Sequence, residues 1–177
     1  MIRRDLPAVI VLEAPPPGGC GPLGALDDAG DQLVRAVDLP RERLFAGLER
    51  VHLIDVPGAG ASYESWPADP ARMNAANMVH GTPFAFDGRP WRWPDLHGRV
   101  VLLAGRRVTR AFASVLGLPL VLPPLARVAW RGAEWVALPH PSGRCRWWND
   151  PFHRAAAGEI VRAEVLRREA ALRSWST

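Results

Sequence analysis

The chain contains no lysine; all 22 of its basic residues are arginine. No side-chain amine is available for a Schiff base, so lyase chemistry through lysine is excluded. Cysteine is almost as scarce. Cys20 and Cys145 are too few for a four-thiolate zinc or iron–sulfur site, and neither sits in a CxxC. The five histidines are scattered, without an HExxH, so no metal and no other cofactor is expected. Long apolar runs are also missing. Stretches such as VVLLAG at 100–105 fall far short of a membrane span. The opening MIRRDLPAVIVLEAPPP has no long apolar stretch ending in small residues. No signal peptide is expected, and the expected location is cytoplasmic, a setting that disfavours a disulfide. No sustained period occurs, which excludes collagen, repeat arrays and coiled coils.

What is present suits one folded domain spanning residues 1–177. Of 177 residues, 48% are apolar and 23% charged, enough for a core and against disorder. The net charge is +4. The arginine excess has two readings. One is codon bias in a GC-rich genome, which fits the Ala, Gly and Pro content. The other is phosphate binding by guanidinium forks.

Along the chain, AVIVLE (8–13) reads as a buried strand ended by PPPGG. Residues 27–38 read as a helix with acids in its first turn. VHLIDV (51–56) is a second strand, stopped by Pro57-Gly58. Residues 57–98 are irregular, with small elements unresolved. RVVLLAG (99–105) is a third strand, leading into a helix over 106–117 that stops at Gly117. Residues 118–134 hold most of a hairpin-like piece, LARVAWRGAEW, turning at Arg131-Gly132. WVALPHP (135–141) is the last strand. A long helix follows over 151–175, with Pro151 in its first turn and Asn149 or Asp150 as cap. Strands alternating with helices predict a three-layer αβα sandwich around a mainly parallel four-stranded sheet. In such folds the carboxyl ends of the strands meet in a ligand crevice. Glu13, Asp55, Gly105-Arg106 and His140-Pro141-Ser142 are then expected to converge.

These residues have definite chemistry. Glu13 is a candidate water-activating carboxylate, its alternative being a surface or salt-bridged acid. Asp55 can accept a hydrogen bond from an amino or imino group of a base, or can cap a loop. The loop at 14–24 lacks GxxxxGKS and a clean GxGxxG, which disfavours a nucleoside-triphosphate loop. ALPHPSGRCRWWND (137–150) is the densest segment. His140 stands between two prolines. Ser142 and Gly143 suit a tight turn that can hold a phosphate. Arg144 and Arg146 beside Trp147 and Trp148 suit a splayed nucleic-acid strand. No GxSxG is present, so the usual serine-hydrolase turn is missing. His52, His80, His97 and His153 read as structural or surface residues. The arginines of the last helix (Arg154, Arg162, Arg167, Arg168, Arg173) read as its solvated face.

Taken in order, LEAPPPGGCGPLGALDDAGDQL (12–33), VHLIDV, VVLLAGRRVTRAF (100–112) and LPHPSGRCRWWN (138–149) resemble the uracil-DNA glycosylase superfamily. The first segment is similar to the GEAPG-type opening of the family 4, iron–sulfur branch. The third is similar to that branch's LLG strand and helix, and the fourth to the HPS motif closing its last strand. The resemblance covers most of residues 8–160. It implies that Glu13 orients the attacking water and that His140 stabilises the leaving base. It implies that Ala14, Pro15, Leu23 and Asp55 bind the base. It further implies DNA contacts from Gly105, Arg106, Ser142, Gly143, Arg144, Arg146 and Trp147. The segment from Arg144 to Trp148 corresponds to the loop that enters the duplex or fills the gap left by the flipped nucleotide.

The departures are chemical. The branch's cluster cysteines are absent. Its base-stacking aromatic is replaced near Leu23, and its uracil-reading Asn by Asp55. An ionised Asp only accepts hydrogen bonds, so it repels the carbonyl at uracil position 4 and favours an amino group. The expected activity is therefore hydrolysis of the N-glycosidic bond of a flipped uracil-like or modified, amino-bearing base in DNA. The protein is expected to act as a monomer and to leave an abasic site. Two alternatives stay open. One is a non-catalytic family member binding DNA or a nucleotide in phage DNA modification or defence. The other is a small-molecule hydrolase acting on free nucleosides.

Overall fold

The computed structural model describes residues 2–3, 5–12, 28–53, 75, 84–86, 89–91, 95–117, 122–141 and 145–174. Its centre is a five-stranded sheet in the order β2-β1-β5-β7-β6, formed by β1 (Ala8–Leu12), β2 (Leu48–His52), β5 (Val100–Ala104), β6 (Arg127–Trp130) and β7 (Ala133–Leu138). Four strands run parallel, and β6 is antiparallel to β7 at the edge. The four parallel strands are those the sequence suggests. The fifth comes from the hairpin-like LARVAWRGAEW and makes the sheet one strand wider than expected. Its turn has positive φ at both Arg131 (47°) and Gly132 (78°), the geometry that matches strand twist in a two-residue hairpin.

Composition explains the order. AVIVL and VVLLA are buried at every position. A run without polar alternation can only sit in the middle of a sheet covered on both faces. RVAW alternates poorly and is largely exposed, so it takes the edge.

The helices cover both faces. On one face, β1, β5 and β7 contribute Ile10, Leu102 and Val136 to a cluster with α1 (Asp28–Val37), α2 (Arg41–Gly47) and α4 (Pro151–Arg173). On the other, Val11, Leu103 and Trp135 pack against α3 (Arg106–Leu116), with Ala75 buried among them. The chain thus forms a three-layer α/β sandwich. A separate two-stranded ladder pairs β3 (Phe84–Phe86) with β4 (Arg89–Trp91). These are small elements inside the stretch that reads as irregular.

One boundary differs from the sequence reading. Strand β2 begins three residues earlier than VHLIDV, because the seven-residue α2 ends at Gly47 and the chain enters the sheet at once. Such a short helix leaves too few turns for a periodic signal. Helix α4 starts where expected. Asp150 is the cap: its carboxylate accepts the backbone N–H of Phe152 at 2.8 Å and of His153 at 3.2 Å. Among the described residues, no helix is long and apolar enough to cross a membrane.

Candidate functional site

The strand registers align the carboxyl ends of the parallel sheet. Leu12 lies opposite His52, Val11 opposite Leu103, and Ala104 opposite Leu138. The Leu53 N–H extends the first pair by donating to the Leu12 carbonyl at 2.8 Å. Strand β1 leads away to β2 on one side, with α1 and α2 on one face. Strand β5 leads to β7 on the other side, with α3 on the opposite face. The winding therefore reverses between β1 and β5. Such a switch point opens a crevice at the carboxyl ends of the strands.

Gly105 is the first residue past β5, and its φ of 103° is a conformation that side chains avoid. Its N–H donates to the Leu138 carbonyl at 2.8 Å, tying the end of β5 to the end of β7. Helix α3 starts immediately after it. The Gly105 carbonyl accepts both the N–H and the hydroxyl of Thr109, each at 2.9 Å. A Cβ on Gly105 would lie 3.1 Å from both Cβ and Cδ2 of His140. A side chain here would crowd His140, which would have to give by a few tenths of an ångström.

The backbone of His140 is held from the other side. Trp148 is fully buried, and its indole N–H donates to the His140 carbonyl at 2.9 Å. Trp148 sits in a 3-10 turn (Arg146–Asn149) and belongs to the core beneath α1 and α4. This corrects the sequence reading at one position. Trp148 cannot enter a duplex, because it is part of the hydrophobic core. Its neighbour Trp147 is half-buried, edge-on to Trp148 and stacked on the imidazole of His153, with ring centres 4.7 Å apart and planes within 8°.

Beside these residues lies a cavity of about 400 Å³, within the range of small-molecule sites. His140, Leu138 and Pro139 form one wall, Arg106, Thr109 and Arg110 another, and Cys145 and Trp147 a third. None of the described lining residues is acidic. Arg106 and Arg110 are exposed on one face of α3, and Arg146 is exposed beside Trp147. None of the three is ion-paired to a described residue. Arg43, Arg99, Arg127, Arg167 and Arg173, by contrast, all meet carboxylates. The described part of the rim is therefore positive, above a largely apolar interior.

The structure thus brings together Gly105, Arg106, His140 and Trp147, and it places Arg146 next to them. Glu13, Ala14, Pro15, Leu23, Asp55, Ser142, Gly143 and Arg144 lie outside the described residues. Arg110, Thr109 and Cys145 are lining residues that the sequence reading did not single out. Arg110 had a signal: it lies four residues after Arg106 on the expected helix, and so on the same face. His153, read as a surface residue, is exposed but also supports Trp147.

Asp150 caps α4. The His153 N–H holds its carboxyl below the usual range; burial opposes this, and the Phe152 N–H and the imidazole charge lower it further. Among the described residues, no three His, Cys, Asp or Glu side chains gather to hold a metal ion. No family model and no curated protein matches the chain.

Proposed function

We propose that the chain is a monofunctional DNA glycosylase. It would hydrolyse the N-glycosidic bond of a flipped uracil-like or modified base and act as a cytoplasmic monomer without a cofactor. The observation that carries this reading is His140, packed against Gly105 at the mouth of an apolar cavity rimmed by arginines that pair with no described carboxylate. An apolar cavity accepts the faces of a base, and guanidinium groups at its rim suit the phosphates on either side. The order of the LEAPPPGG, VVLLAG and HPS segments supports the same reading.

The chemistry follows from charge. The base must leave the stack before its glycosidic bond can be reached. As that bond breaks, the sugar gains cationic character and the base gains negative charge. His140 donates a hydrogen bond to the base oxygen as that charge grows, a contribution typically worth about 3 kcal/mol. Glu13 steadies the sugar and positions water on its far face. Asp55 accepts from an amino group on the base edge, which is why an amino-bearing base is preferred to uracil. Without lysine, the product is an abasic site on an intact strand.

The test uses oligonucleotides carrying uracil, hypoxanthine, or modified cytosines or thymines, followed by alkaline cleavage of abasic sites. His140→Ala and Glu13→Ala should each slow single-turnover excision about tenfold or more, with the fold retained. Asp55→Asn should shift preference toward uracil. Equal rates in both alanine variants and the parent would remove the mechanism. Salt-dependent DNA binding without any abasic product would favour the alternative, a binding protein of DNA modification or defence. Action on free nucleosides alone would favour a small-molecule hydrolase.

A further inference from the structure

The basic and aromatic segment after His140 suggests a splayed strand, yet its tryptophans are committed elsewhere. Trp148 lies in the core, and Trp147 is edge-on to Trp148 and stacked on His153. A third aromatic ring nearby stands out to solvent. Phe152, in the first turn of α4, is 84% exposed, the most exposed large apolar side chain among the described residues. It adjoins His153, whose ring stacks on the Trp147 wall of the cavity. Its mounting is rigid. Pro151 precedes it, and Asp150 accepts the N–H groups of Phe152 and His153. The Asp150 carboxylate is thereby occupied in capping. Arg146, exposed and unpaired to any described residue, directly precedes Trp147, the ring that His153 stacks on.

We propose that Phe152 is an outer stacking platform for an unpaired nucleobase flanking the one held in the cavity, and that the preferred partner is single-stranded DNA. The proposal rests on the nucleic-acid reading of the cavity. An exposed ring and an exposed guanidinium, each next in sequence to one member of the Trp147–His153 stack, offer what a single strand requires: a π-face for a base and a cation for a phosphate. A phenylalanine reaches only a short distance from a capped helix. The base must therefore come to it, and a single strand has already met the cost of unstacking and unpairing.

The experiment measures fluorescence anisotropy of a fluorescein-labelled oligothymidylate, and of a duplex containing it, against the full chain. The parent should bind the single strand more tightly than the duplex. Phe152→Ala should weaken single-strand binding about tenfold, while Phe152→Tyr, which keeps the ring, should retain it. The slope of affinity against salt should not change, because Phe152 meets no phosphate. Equal binding by the parent and Phe152→Ala, or a parent that prefers duplex, would overturn the proposal and leave the cavity reading intact. A parent that binds neither nucleic acid would overturn both. A parent dimer that Phe152→Ala converts to monomer would assign the ring to self-association and overturn the platform.

Discussion

At the scale of single residues, the site depends on what is absent as much as on what is present. His140 packs closely on Gly105, which has no side chain to crowd it, and its carbonyl accepts the Trp148 N–H. HPS was legible as a motif. The two residues that position it were not, since neither a glycine after a strand nor a tryptophan eight residues on announces its partner. Asp150 leads to a pH prediction. Its carboxyl is held below the range of an unfolded chain, about 3.9, chiefly by the His153 N–H. A depressed carboxyl stabilises the fold above the unfolded value, and that stability is lost as pH falls through the lower folded value. Between neutral pH and about pH 5 the contribution should be constant. Below about pH 4 the parent should lose melting temperature faster than Asp150→Asn, whose amide oxygen still caps but does not titrate. Thermal unfolding across pH checks this, and parallel curves would refute it.

At the scale of elements, the long apolar runs declared themselves and the short helix did not. AVIVL and VVLLA had one possible place, the interior of the sheet. RERLFAG is defined by its packing: Leu44 and Gly47 are buried, and Gly47 lies close against Val165 of α4. The closest approach between helices is at Gly158, where a Cβ would fall 1.9 Å from the Ala36 carbonyl oxygen of α1. The obstacle is backbone, so it cannot rotate away. Gly158→Ala should therefore destabilise by about 2 kcal/mol or more through overpacking. That outweighs the gain of about 1 kcal/mol that alanine brings to a helix interior. The midpoint of denaturant unfolding measures the balance. A stabilised variant would mean that α1 and α4 move apart freely.

At the scale of the whole molecule, charge and topology decide what can approach. The chain carries +4. One group of its arginines pairs with carboxylates, as Arg43 does with Glu169. Arg106, Arg110 and Arg146 gather at the carboxyl end of the sheet without a described partner. If these three meet phosphates, each alanine replacement should lower the slope of log affinity against log salt by about 1. Arg43→Ala should leave that slope unchanged. Titrations at several salt concentrations separate the two groups.

Sequence alone was enough for the α/β class, the four parallel strands, and the cap and stop of the helices. These depend on local composition and on period, which a linear chain displays directly. Tertiary structure decided the fifth strand, the seven-residue helix, the burial of Trp148 and the freedom of Phe152. Those outcomes turn on which surfaces meet: a tryptophan and a phenylalanine in one short segment have similar apolar character, and only packing determines which is covered.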